Sequence, residues 1–122
     1  MANVSRGLQG LSSEERKKRP IFSGVIMYFP DALAEVAYVS YIGNQQHNPG
    51  QPLHWAKEKS SDETDAEVRH MIDSITEVFD TDGVRHKAKK AWRALADLQR
   101  EIDAENKAAA EMCAMTKETR AL

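Results

Sequence analysis

Apolar residues return at helical spacing in three stretches of this chain, separated by segments rich in polar residues, glycine and proline. The first stretch opens with Pro30 and Asp31 as a helix start, places Phe29 as a hydrophobic staple, and meets Gly43 as its expected stop after Ile42. In the second, Val68, Met71, Ile72, Ile75 and Phe79 share a face. Ser60 with Glu63 fits a capping box at its start, and Asp80-Thr81-Asp82-Gly83 is its expected end. The third runs from about Val84 through Ala88, Ala91, Trp92, Leu95, Leu98 and Ile102. It continues to Thr116 or beyond with good helix propensity but a thin apolar face, so this tail is expected to fray or to pack on another subunit.

These periods predict an all-α protein. The uncharged run from Ile21 to Phe29 fits either a short strand or an extended strap over a helical core, because periodicity does not decide between them. Residues 1–19 are polar and end in the charged run from Glu14 to Arg19, the composition of a flexible arm or a short frayed helix. The segment from Gly43 to Trp55, GNQQHNPGQPLHW, is expected to be a long loop with several forced turns. The expected organisation is therefore an arm over 1–19, one domain over 20–105 and a helical extension over 106–122.

Length and composition narrow the function classes. The chain has 122 residues, 41% hydrophobic and 30% charged, which fits a single domain. Seventeen Lys and Arg against nineteen Asp and Glu give a net charge of -2, so no nucleic-acid partner is expected and any anion site must be local. Cys113, the one cysteine, can close no intramolecular disulfide and no Cys/His zinc cage of the usual spacing. No apolar run is long enough for a bilayer, and the first ten residues do not read as a signal peptide, which predicts a soluble, cytoplasmic protein with no membrane partner.

Three stripes of ionisable residues are candidates for chemistry. At about 100 degrees per residue, Glu35 falls in the sector of Ala32, Val39 and Ile42, with Asp31 one turn earlier, so a carboxylate is expected inside an apolar face. A buried carboxylate needs a cation, either a metal ion or an arginine such as Arg69 or Arg93. On the second helix Asp62, Asp65, Arg69 and Asp73 form a column that suits a hard divalent ion, or else Asp65 pairs with Arg69 and the other two are solvated. On the third, Arg85, His86, Lys89, Lys90 and Arg93 lie within two turns, either as a phosphate-binding stripe or as an ordinary basic face. His47, His54 and His70 are weaker signals, since a lone histidine is more often a hydrogen-bonded structural residue than a ligand. Trp55 and Trp92 fit the core, with Trp55 also placed to stack on a flat ring.

Residues 19–103 also carry a resemblance. The FPDALAEVA helix, the GNQQHNPGQPLHW loop, the Arg69-His70 pair and the DTDGVRHKAKKAWRAL helix resemble the MazG-like phage dATP/dGTP diphosphohydrolases, particularly the MazZ-type variants. The resemblance implies a MazG-like helical bundle that assembles as a homo-oligomer, a dimer or tetramer. It implies hydrolysis of a purine deoxynucleoside triphosphate, dGTP first and dATP second, to the monophosphate and pyrophosphate with Mg2+ or Mn2+. Carried over by position, the metal-binding and catalytic acids fall on Glu35, Asp62 and Asp65. Where the MazG motif has a second acid three residues after the first, this chain has Tyr38, and Asp31 is the substitute on that face. Other departures are Ala56 after the Leu53-His54-Trp55 triplet and Lys87 before Ala88.

In this picture Lys89, Arg93 and His86 meet the phosphates, while Asn44, Gln46, His47 and Asn48 offer polar edges to the base and Trp55 a stacking face. Two other classes compete. One is a non-catalytic helical module binding nucleotide or protein on a degenerate MazG fold, which the departures at Tyr38 and Ala56 favour. The other is a small DNA-binding regulator using the basic run near the N-terminus, which the net charge disfavours.

Overall fold

The computed structural model describes residues 7–59 and 61–121. Among them the chain forms four α-helices: α1 (Ser13–Lys17), α2 (Pro30–His47), α3 (Glu63–Asp73) and α4 (His86–Ala121). An isolated antiparallel bridge pairs Phe79 with Arg85, and no described residue lies in a β-strand. The all-α class expected from the periodicities therefore holds. No single described helix is long and apolar enough to cross a membrane.

α1 exists because Ser12 caps it, its hydroxyl accepting from the Glu15 N–H at 3.2 Å, with Glu14 and Glu15 suiting the positive end of the dipole. Lys18 and Arg19 close on Glu15, and the helix remains solvent-exposed with no buried residue. The short extended segment expected next is instead helical: a π turn spans Phe22–Ile26, with the Met27 N–H bonded to the Phe22 carbonyl at 2.8 Å. No described strand lies beside this segment, so its backbone groups pair locally.

α2 begins where the sequence indicates, with Pro30 at its first positions and Asp31 in the first turn. It does not stop at Gly43. An internal glycine costs a helix about 1 kcal/mol, which packing here outweighs: Ser40 accepts from the Trp92 indole N–H of α4 at 2.9 Å, and Asn44 is buried. The stop is Asn48, followed by Pro49 and a Gly50 at φ +76°, a left-handed conformation that costs glycine little.

α3 starts after Asp62, which makes no side-chain cap bond. Ser60 of the expected capping box lies outside the described residues, and Glu63 turns inward instead. α3 also ends at Asp73 rather than running to Phe79, with the Ser74 hydroxyl on the Met71 carbonyl at 2.7 Å. Residues 78–86 then fold into a tight turn in which His86 N–H bonds Val78 O and Asp80 N–H bonds Val84 O, at 3.0 and 2.8 Å. Gly83 sits at its corner with φ +81°. The helical period through Ile75 and Phe79 is outcompeted by this turn, and both side chains stay exposed.

α4 is one unbroken helix of 36 residues, about 54 Å long at about 1.5 Å per residue. The expected boundary between domain and extension near residue 105 thus falls inside a continuous helix. α4 packs on α3 and α2. Among the described residues the buried apolar ones are small, Ala66, Val84, Ala88 and Ala96, and the three alanines on α3 and α4 let these helices approach closely. Large apolar side chains remain open to solvent on every helix from α2 on, among them Ile72 and Met112, 58% and 73% exposed.

Candidate functional site

A cavity of about 930 Å³ lies where the end of α2, the loop after it, α3 and α4 meet. The turn residues Asn48 to Gln51 bend the loop back over α2, and the Asn44 amide fixes it there by donating to the Gln51 carbonyl at 3.0 Å. Asn44 is therefore a buried staple under the loop, not part of the cavity lining. His47, Asn48, His54 and Trp55 line the loop side, and Gln46 lines the cavity while also reaching Asp82 at 3.4 Å. Trp55 meets Trp92 edge to face at 5.3 Å, and Lys57 and Arg100 sit over its ring at 4.9 and 5.8 Å. Its stacking surface already holds cations. Arg100 also donates to the Lys57 carbonyl, and Lys57 pairs with Asp103 at 3.0 Å, tying the loop to α4.

Lys89 and Arg93 line the opposite wall, but neither is a bare cation. Lys89 bridges Asp80 and Asp82 at 2.7 and 2.6 Å. That hydrogen bond, helped by the Thr81 N–H, holds the Asp80 carboxyl down at about 2. Burial pushes Asp82 up, yet the bonds from Lys89 and the Val84 N–H prevail and leave it below the usual range. Burial likewise pulls the Lys89 ammonium down, and the two carboxylates outweigh it, so the amine stays charged above its ordinary value.

Arg93 donates to Glu63 at 3.1 Å while Arg100 meets the other oxygen of Glu63 at 2.8 Å. Glu63 is 2% exposed, so a carboxylate lies at the centre of the α3–α4 contact, clasped by two guanidinium groups.

The candidate metal acids fall elsewhere. Glu35 is not sealed in an apolar face: its side chain is 44% exposed and pairs with Arg85 at 3.0 Å, not with Arg69 or Arg93. With Asp31 it borders a separate hollow of about 540 Å³ that Arg85 and Lys87 also line. Asp62 pairs with Arg69 at 3.6 Å, where Asp65 was the expected partner, and Asp65 is exposed in the first turn of α3. Neither Asp62 nor Asp65 borders the hollow of Glu35 and Asp31. Tested as a donor set, Glu35, Asp31, Asp62 and Asp65 do not fit one shared Mg2+ or Mn2+ within a single chain. They lie on two separate surfaces, and two of them already answer an arginine.

His86 is not a wall residue either. It is 3% exposed, at the start of α4, with its Nδ1 3.1 Å from Nδ1 of His70. Burial, with Lys89 and His86 nearby, pushes the His70 imidazole below its ordinary value. Among the described residues, His70, Asp73 and His86 form the one cluster of three metal-capable side chains whose ligand atoms all lie within 4.8 Å of one another.

Sequence reasoning thus missed three arrangements. Asp80 and Asp82 read as a helix stop, although Lys89 follows close behind on α4. Glu63 read as a capping residue, although Arg93 and Arg100, seven apart, mark one face of α4 that could receive it. The histidines appear as two Arg-His pairs, at 69–70 and 85–86, a repetition that signals a shared site only once the turn between them is known. No family model, no curated protein and no solved structure matches this chain.

Proposed function

We propose that the protein is a nucleoside triphosphate pyrophosphohydrolase with a MazG-like fold. In this reading it converts a purine deoxynucleoside triphosphate, dGTP first and dATP second, to the monophosphate and pyrophosphate, with dependence on Mg2+ or Mn2+. The observation that carries it is the shared cavity, in which the Asn48 to Trp55 loop faces Lys89 and Arg93. Its volume of about 930 Å³ sits at the upper part of the range of about 300–1,000 Å³ common for small-molecule sites. Amide and imidazole edges of Asn48, His47 and His54 on one wall can read a base. Lys89 and Arg93 on the other bring positive charge to the cavity, where phosphate would share them with the carboxylates they already meet, Asp80 and Asp82 for Lys89 and Glu63 for Arg93. Assembly as a homo-oligomer, dimer or tetramer, belongs to the same reading, supported by the large apolar side chains that a single chain leaves in water.

A second reading has its own observation. Glu35 is already neutralised by Arg85, apart from the cavity, which favours a non-catalytic nucleotide-binding module on the same fold.

Pyrophosphate release from each of the four dNTPs, in Mn2+ and in EDTA, separates them. The hydrolase reading expects release led by dGTP, none in EDTA, and none from Glu35→Gln at unchanged helix content. Saturable dGTP binding to the wild type without release would establish the second reading and overturn the first.

A further inference from the structure

We infer that His70, Asp73 and His86 form a binding site for a divalent transition-metal ion, with zinc the best match. His70 and Asp73 are three residues apart on α3, so they project from one face of its last turn, where the carbonyl end of the helix favours a cation. His86 opens α4 and is set opposite them by the 78–86 turn, its backbone N–H held by the Val78 carbonyl. The ligand atoms of all three fall within 4.8 Å of one another. Two imidazole nitrogens bound to one tetrahedral zinc at about 2.0–2.1 Å are about 3.3–3.4 Å apart. The two Nδ1 atoms here are 3.1 Å apart, so an ion can enter after a shift of a few tenths of an ångström.

The donor set also selects the ion. Two imidazoles and one carboxylate suit zinc, manganese, cobalt or nickel, whereas magnesium and calcium prefer oxygen throughout. Without a metal, the same two nitrogens face each other across a single proton, one donating and one accepting. An ion replaces that proton and adds Asp73, which is exposed and so gives access from solvent. His70 lines the large cavity as well, which puts the ion at the cavity wall. The inference stands apart from the hydrolase reading, since the ligands are none of the carboxylates that reading requires.

The test uses the full chain, stripped with chelator and dialysed, titrated with ZnCl2 and separately with CoCl2 in the absence of nucleotide. Calorimetry is expected to give one zinc per chain, and cobalt to develop visible d–d absorption that zinc then bleaches. Asp73→Asn and His70→Gln are expected to weaken zinc at least tenfold with the helical circular dichroism unchanged. Since His86 is buried and its variant is at risk of misfolding, the exposed Asp73 carries the test. Absence of stoichiometric zinc binding would overturn the site. So would binding that both variants leave unchanged, which would place the ion at other groups such as His47, His54 or Cys113. Zinc binding without pyrophosphate release would leave this site standing while removing the hydrolase reading.

Discussion

Glu35 and Glu63 are the same side chain on α2 and α3, two helices that both pack on α4, and each meets arginine, yet they occupy opposite environments. Glu35 pairs with Arg85 at 3.0 Å with nearly half its side chain in water. Glu63 is 2% exposed between Arg93 and Arg100. The pattern of apolar neighbours marks Glu35 as the buried acid, and the fold makes it Glu63. Helical periodicity tells which residues share a face, but α2 is covered by α4 on only part of its circumference, so sharing a face with Val39 and Ile42 does not bury Glu35.

The largest effect expected from this contrast comes from Glu63→Ala. Removing one partner of a buried pair costs about 3–5 kcal/mol, and the low end, about 3 kcal/mol, applies because both arginines are partly solvated. Urea denaturation should show that loss. A change below about 1 kcal/mol would mean that Glu63 and Glu35 are energetically alike.

The clasp of Asp80, Asp82 and Lys89 stands between the two glutamates. Asp80 titrates at about 2 in the folded chain against an ordinary 3.8, so its contribution is fully present above about pH 4 and is lost as pH falls towards 2. Lowered Asp82 acts in the same direction. Asp80→Asn should destabilise by about 1–2 kcal/mol at neutral pH, after discounting for solvent, and should flatten the acid limb of stability against pH. An acid limb identical to the wild type's would show that the clasp contributes nothing.

For Glu35→Gln the expected cost is smallest, within about 0.5 kcal/mol, because an exposed pair gains little and is screened. The comparison sharpens with salt. Raising NaCl from about 0.05 to 1 M shortens the Debye length to about 3 Å. The small Glu35 effect should vanish there while most of the Glu63 effect persists. If both fall together, the burial of Glu63 does not protect its pair.

Much of the fold is legible in the sequence where the signals are local. Pro30 with Asp31 starts α2 in the structure as expected, and the segment expected as a loop up to Trp55 does separate α2 from α3, although its first residues, Gly43 to His47, are helical. Failures occur where a local signal competes with a distant contact. Gly43 reads as a stop, but Trp92 and the Asn44 staple carry the helix past it. Ile75 and Phe79 continue the α3 period, but the Asp80 to Val84 turn takes their backbone first. Among candidate site residues, Lys89, Arg93, His47, Asn48 and Trp55 come together at one cavity. Glu35 and Asp31 do not join them, and Asn44 and His86 are buried with structural partners.

By itself, the sequence determined the helical class and the start of α2, because these follow from spacing within one or two turns and from fixed backbone preferences. Only the tertiary structure decided which acid is buried, which cations are already held by carboxylates and that His70, Asp73 and His86 meet. Those outcomes depend on how α2, α3 and α4 are rotated against one another, and small residues such as Ala66, Ala88 and Ala96 set that rotation by allowing close approach without marking it in the hydrophobic period.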